Sequence, residues 1–252
     1  MDGISGKNVA ITGGAGDIGA AMAAELVRHG AAVTLIDVKS RADAEPWLEV
    51  ASANGPVGYV SADVRDRPAI DAALAAIAPL DIAIANQAIG RGIPFLDLTD
   101  DQWQEHMDVN LTGCFNVGQS AARLMVERGT PGRIIFTGSW VQEVPWPEIS
   151  AYSATKAGVR MLCRSMAREL ARHQIRVNVI APGIVYAGLA KHQIETEPRY
   201  AARIQHVIPL GELQRAEQVA QTTAFLCSTA ADYMTGAVLL ADGGCSLFQF
   251  DE

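Results

Sequence analysis

The sequence predicts an α/β fold: a single domain on a doubly wound parallel sheet of about seven strands flanked by helices, a Rossmann fold. Three observations predict it. Short β-branched runs alternate with Ala- and Leu-rich segments along the whole chain. The β-branched runs are almost continuously apolar, as strands covered on both faces must be. The chain has 252 residues, 49% of them hydrophobic, and no linker, repeat or low-complexity tract divides it.

The strands in order are "NVAIT", "AAVTLID", "GPVGYVSAD", "LDIAIAN", "GRIIFTGS", "IRVNVIAPG" and "AVLLADGG". Helical patterns lie between them: "AAMAAELVRHG", "RPAIDAALAAIA", one long helix from Asp100 to Gly129, "YSATKAGVRMLCRSMARELARH" and "RAEQVAQTTAFLCS". Gly30 and Gly129 stand where two of these helices should end. Such alternation joins neighbouring strands in parallel through right-handed crossovers. Ligands then bind at the carboxyl ends of the strands, near the point where the strand order reverses.

Composition excludes several classes. A net charge of −8 without basic runs opposes nucleic acid and anionic membranes as partners. Cys114, Cys163, Cys227 and Cys245 are far apart and read as reduced, mostly buried thiols. The five histidines are scattered, so no metal is expected. No signal pattern opens the chain and no apolar run suffices to cross a bilayer, which makes the cytoplasm the expected compartment.

"TGGAGDIG", Thr12 to Gly19, follows the first strand and opens a helix. Gly14, Gly16 and Gly19 have the GxGxxG spacing that brings backbone N–H groups close to a pyrophosphate. The second strand ends in Asp37, placed to accept hydrogen bonds from the adenosine ribose and to repel a 2′-phosphate. This favours NAD over NADP; the competing role for Asp37 is a helix cap or turn. Asp63, before Val64, either bonds the adenine amino group or shares with Asp66 the capping of the helix that begins near Arg67. Asp17 puts an acid into the phosphate loop. Its expected role is to cap the helix that starts there, against the alternative of a direct contact with ribose or substrate.

Tyr152 and Lys156 are one helical turn apart in "YSATK", with Ser139 at a strand end before them and Asn110 in the preceding long helix. A free phenol has a pKa of about 10, and bringing one near neutrality needs about 4 kcal/mol of preference for the phenolate. A lysine ammonium and a positive nicotinamide together supply such a preference. A serine hydroxyl can then hold the substrate oxygen while the tyrosine moves the proton.

With these residues in view, the chain resembles the short-chain dehydrogenase/reductase family over essentially its whole length. The family's glycine motif falls on Thr12-Gly13 through Gly19, its Asn-Ser-Tyr-Lys set on Asn110, Ser139, Tyr152 and Lys156, and its "NNAG" on Ala85 to Ala88. Its "PG" falls on Pro182-Gly183 and its "DGG" on Asp242 to Gly244. The resemblance implies a nicotinamide cofactor, NAD by Asp37, held by Gly13, Gly16, Ile18, Gly19, Asp63, Val64, Asn86, Tyr152, Lys156, Pro182, Gly183 and Val185. It implies that Lys156 binds the nicotinamide ribose and that Asn110 holds a water in a proton relay. It also implies a homotetramer, with helices Asp101–Arg128 and Tyr152–His173 across one interface and the C-terminal segment completing the assembly.

The chain departs from the family pattern at three places. Asp17 replaces a glycine, Gln87 and Ala88 replace the alanine and glycine of "NNAG", and Ala187 stands where a threonine often bonds the nicotinamide carboxamide. Substrate segments are expected after Ser139 and over about 184–213, with Gln87, Trp140, Gln142, Trp146 and Tyr186 as candidate contacts. "VPWP", Val144 to Pro147, resembles bacterial glucose dehydrogenases of the family. Indole faces with amides suit a sugar or polyol; the alternative is that the tryptophans only pack the loop. The expected activity is hydride transfer between a secondary alcohol and NAD. The alternatives are a 3-oxoacyl-carrier-protein reductase, which Asp37 and the acidic charge oppose, and a non-enzymatic NAD sensor, which the presence of Tyr152 and Lys156 opposes.

Overall fold

In the computed structural model, residues 1–247 are described. Seven strands form one parallel sheet: β1 Asn8–Thr12, β2 Ala32–Asp37, β3 Gly58–Ser61, β4 Ile82–Ala85, β5 Gly132–Thr137, β6 Ile175–Pro182 and β7 Val238–Ala241. Their order is β3-β2-β1-β4-β5-β6-β7. The chain winds outward from β1 to β3, then returns to the other side of β1 as β4. The order therefore reverses between β1 and β4, which is where a ligand crevice opens.

Helices cover both faces. α1 (Asp17–Arg28), α2 (Arg41–Ala51) and α9 (Ala216–Cys227) bury one face with residues such as Met22, Leu48 and Val219. α3 (Arg67–Ala75), α5 (Gly113–Glu127) and α6 (Ser150–Leu170) bury the other with Ile70, Val117 and Val159. Strand side chains such as Ile36, Ile82, Ile84 and Phe136 are fully buried. This is the double coverage that the continuous apolar runs require. Gly30 and Gly129 end their helices with φ of 86° and 64°.

The chain differs from its sequence pattern in three places. α2 forms across Pro46, helped by Ser40, whose Oγ accepts the Asp43 N–H at 3.2 Å. The expected long helix is α4 (Asp100–His106), a π-helical stretch over Met107–Thr112, and α5. The region at 184–213 carries two further helices, α7 (Gly188–Thr196) and α8 (Pro198–Val207). α8 packs Ile204 and Val207 with Trp140 and Ile184 in a small third cluster. Residues 248–252, part of the C-terminal segment expected at a subunit interface, lie outside the described residues.

All four cysteines are free and buried. Burial pushes the thiols of Cys114 and Cys245 up to about 11 and those of Cys163 and Cys227 up to about 12. They stay protonated at neutral pH and serve as small core residues. No helix among the described residues is long and apolar enough to cross a membrane.

The structure separates the two acids considered for the α3 cap. Asp66 takes it, accepting the Ala69 N–H at 3.1 Å, while Asp63 turns to Arg65. Asp66→Ala should therefore cost about 1 kcal/mol in chemical denaturation. Asp63→Ala should leave the α3 cap intact, and equal losses from the two substitutions would contradict this assignment.

Candidate active site

A cavity of about 850 Å³ runs along the carboxyl edge of the sheet. Its floor begins at the phosphate loop. Gly13 has φ 63°, and a Cβ there would stand 2.6 Å from the backbone of Gln87. At Gly19 a Cβ would collide with the Gly13 carbonyl oxygen, and at Gly14 it would stand 2.7 Å from Leu35 Cβ. These three glycines are sterically required. At Gly16 the nearest atom to such a Cβ would be 3.6 Å away, so its role is different. It is the N-cap of α1 and places no side chain over the first-turn N–H groups, leaving them to an anionic ligand. Ile18 lines the same stretch of the cavity.

Asp37 closes this end. Its carboxylate accepts the Ala15 N–H at 3.0 Å and the Lys39 N–H at 3.2 Å, and it lines the cavity. It caps no helix; Ser40 does that for α2. Lys39 does not face Asp37 with its charge: its Nζ donates to the Ala15 carbonyl and lies 4.0 Å from the Trp47 ring centroid. Asp63 and Val64 line the next stretch. Arg65 bonds Asp63 through both backbone and guanidinium, and holds its carboxyl below the usual carboxylate range.

Lys156, 1% exposed, donates from Nζ to the Thr137 carbonyl at 2.7 Å and lies 5.4 Å from the Tyr152 ring centroid. Thr137 Oγ1 donates to Asn86 Oδ1 at 3.1 Å, and Asn86 Nδ2 donates to the Gly13 carbonyl at 3.1 Å. One chain of bonds thus joins α6 to the phosphate loop. Ser139 lies at the end of β5, backbone extended, and its Oγ accepts the Val141 N–H at 3.4 Å. Ser139, Tyr152 and Lys156 all line the cavity, as do Pro182, Gly183 and Val185. Gly183 packs tightly: a Cβ there would stand 2.7 Å from Asp242 Cα.

Asn110 is placed differently. It is fully buried and does not line the cavity. Its Oδ1 accepts the Ile89 N–H at 2.8 Å, and its Nδ2 donates to the Ile89 carbonyl at 2.8 Å and to Thr155 Oγ1 at 3.2 Å. Thr155 in turn donates to the Tyr152 carbonyl at 2.7 Å. The side chain of Asn110 ties the π-helical stretch to α6 and to the loop that follows β4.

Two of the five candidate substrate contacts, Gln142 and Tyr186, do not line the cavity. Gln142 is 6% exposed and does not line the cavity; its amide packs against Gly138 with no hydrogen-bond partner. Tyr186 faces outward and donates to Glu195 at 2.7 Å. Gln87 lines the cavity; its Oε1 accepts from Thr12 and its Nε2 donates one N–H toward Cys114 Sγ at 3.5 Å. Trp140 and Trp146 do line it, edge to face with centroids 5.4 Å apart. Further lining residues were missed, among them Val141, Ile149, Ile184 and two from α8. Tyr200 and Arg203 reach the cavity from α8, Arg203 5.5 Å from the Trp146 ring centroid, while burial pushes the Tyr200 phenol up to about 12. Their spacing of one helical turn was the available signal, but it carries weight only once residues 198–207 are known to be helical.

Asp17 is not the cap of α1. Gly16 holds that position, and Asp17 is the first helical residue. Its Oδ1 accepts Trp47 Nε1–H at 3.0 Å and its Oδ2 accepts the Gly188 N–H at 3.1 Å.

The groove fits a nicotinamide dinucleotide. Its glycine walls leave no space for side chains where a pyrophosphate needs backbone contact. The buried Lys156 ammonium has three donors, of which the described residues use one.

Comparison with known proteins agrees with this geometry. Residues 13–246 match the family model described as enoyl-(acyl carrier protein) reductase. The chain is 36% identical to 3beta-hydroxysteroid dehydrogenase 1 of Eggerthella lenta, over all of this chain and 99% of that one. Among solved structures, levodione reductase superposes with a TM-score of 0.90 at 29% identity, covering 96% of this chain and 98% of that one. A putative 2-deoxy-d-gluconate 3-dehydrogenase from Agrobacterium tumefaciens with bound NADP superposes with a TM-score of 0.88 at 28% identity, covering 96% of each chain. The chain belongs to the short-chain dehydrogenase/reductase family, whose members are oxidoreductases that act on hydroxyl and carbonyl groups with a nicotinamide cofactor.

Proposed function

We propose that the protein is an NAD-dependent dehydrogenase of secondary alcohols, with Tyr152 as general acid/base and an alicyclic alcohol or ketone as substrate. One observation carries the reading. Tyr152 and Lys156 share a face of α6, and the cavity they line is the one that the phosphate loop and Asp37 also line.

When bound, the cofactor accepts a hydride from the carbinol carbon or returns one to a carbonyl. The protein's part is to hold the substrate oxygen and move its proton. Ser139 presents a hydroxyl at the end of β5, able to donate to that oxygen. The phenolic oxygen of Tyr152 takes the hydroxyl proton during oxidation and gives it back during reduction. The Lys156 ammonium lies 5.4 Å from the Tyr152 ring centroid, and its remaining donors can hold ribose hydroxyls. Asn110 anchors the loop beyond β4 to α6 through its side chain, and its place in a proton relay stays part of the proposal.

Asp37 supports NAD. Its carboxylate lines the groove with its charge unpaired, because the Lys39 ammonium turns to the Ala15 carbonyl and Trp47. A carboxylate accepts ribose hydroxyls and opposes a 2′-phosphate. The substrate end supports an alicyclic compound over a sugar. Trp140, Val141, Trp146, Ile149 and Ile184 line it, whereas Gln142 and Tyr186, two of the polar groups that favoured a sugar, do not. The steroid dehydrogenase relative accords with this, whereas the 2-deoxy-d-gluconate 3-dehydrogenase neighbour favours the sugar alternative. A homotetramer remains part of the proposal. Phe115 and Val126 on α5 and Met161 on α6 are exposed apolar side chains on the helices expected to pair.

The deciding experiment is to offer hydroxysteroids, cyclic ketones, polyols and acyl thioesters while following NADH absorbance. Turnover confined to sugars would overturn the alicyclic reading, and none with any alcohol or ketone would overturn the activity. With a substrate in hand, Tyr152→Phe should remove nearly all turnover and leave NADH binding close to that of the unmodified protein. Asp37→Ala should narrow a preference of about tenfold or more for NAD, a difference of about 1.4 kcal/mol; equal use of both cofactors by the unmodified protein would contradict the role of Asp37. Met161→Glu should reduce the assembly size seen by light scattering, whereas an unchanged mass would remove α6 from the interface.

A further inference from the structure

The two departures from the family pattern at residues 17 and 187 meet in space. α7 begins at Gly188, and its N-cap residue is Ala187, whose methyl group can cap nothing. A helix start leaves its first N–H groups without partners, and a side-chain oxygen usually answers one of them. Here the oxygen comes from the other side of the cavity. The Gly188 N–H donates to Asp17 Oδ2 at 3.1 Å, across 171 positions of sequence. Asp17 and Gly188 both line the cavity, so this bond lies in its wall. Asp17 Oδ1 is held by Trp47 Nε1 of α2 at 3.0 Å, and the Trp47 ring is covered by the Lys39 ammonium. Two donors from two separate helices converge on one carboxylate, using one oxygen each.

We infer that Asp17 is a positioning residue that tethers the α7–α8 segment to the phosphate loop and thereby slows release of the dinucleotide. The segment carries Tyr200 and Arg203 at the substrate end of the cavity and Gly188 at the cofactor end. Opening the groove to let a dinucleotide out separates Gly188 from Asp17 and breaks the bond. The two donors meet different oxygens, so an asparagine turned to accept from one of them presents its NH2 group to the other. This inference rests on the groove being a dinucleotide site, as proposed above.

The role has a sign that separates it from the obvious alternative. A carboxylate beside a pyrophosphate repels it, so a merely electrostatic Asp17 would speed release, and its removal would slow release. A tether slows release, and its removal speeds it. Asp17→Ala and Asp17→Asn should both raise the NADH dissociation rate, measured by stopped-flow displacement. The rise should be about threefold to tenfold, the factor that one hydrogen bond of ordinary net strength is worth. Without any ligand, both variants should also be cut faster by a protease at sites within 188–207. Ala187→Ser placed on Asp17→Ala restores a cap to α7 without a tether. It should slow the cleavage and leave NADH release fast. Slower or unchanged release in both single variants overturns the tether, as does unchanged cleavage. If the unmodified protein binds no NADH, the cofactor reading has failed instead, and the cleavage rates still decide whether Asp17 holds the segment.

Discussion

The ammonium of Lys156 is almost wholly buried, and its bond to the Thr137 carbonyl is the constraint around which the site is arranged. A buried charge is costly unless it is hydrogen-bonded. Here the compensating acceptor is the last carbonyl of β5, at the carboxyl edge of the sheet. That choice fixes the rotation of α6 against the sheet, and Tyr152, one turn earlier, is placed with it. From Thr137 the bonds continue through Asn86 to the Gly13 carbonyl. The residue proposed to move protons and the loop proposed to hold phosphate are therefore built on one hydrogen-bonded frame, with little freedom to move relative to each other.

The parallel sheet makes this economical. Strand order reverses between β1 and β4, so the loops after these two strands diverge and leave a crevice. Gly13 follows β1, Asn86 follows β4, Ser139 follows β5 and Gly183 follows β6. Four side-by-side strands thus deliver four parts of the site to one edge, although they are far apart in sequence. Asn110 reaches the same edge indirectly. The π-helical stretch that contains it sits where an uninterrupted α-helix would have passed, and its amide clasps the backbone of Ile89 just beyond β4.

The strands and most helices were legible because their cause is local: apolar runs, helical spacing, and glycines at Gly30 and Gly129 that must take positive φ. The groove's lining at Asp37 and Gly13 was legible because a strand end or a tight backbone approach dictates it. Side-chain direction was not. Gln142 and Tyr186 lie in the expected segments, yet one turns into the core beside Gly138 and the other out to Glu195. Nothing in their neighbouring residues distinguishes these outcomes from facing the cavity. α7 and α8 were not anticipated, because the start of α7 is stabilised from a distant part of the chain and α8 by packing against Trp140 and Ile184.

Asp17 shows how a local rule can give the right chemistry and the wrong partner. A carboxylate at the start of a helix is favoured by the helix dipole, and Asp17 does stand in the first turn of α1. The hydrogen bonds expected of a cap also exist, but they go to the first residue of another helix and to an indole on a third. The dipole of α1 offsets the charge, and the N–H groups of Trp47 and Gly188 occupy the oxygens. Both oxygens thus accept from donors outside α1. The backbone N–H groups of the first turn remain for an anion, because Gly16 caps with no side chain. An acid in a phosphate loop is then compatible with phosphate, provided its oxygens are held elsewhere. Ala187 offers α7 no side-chain cap, and the carboxylate of Asp17 answers the Gly188 N–H from the phosphate loop instead.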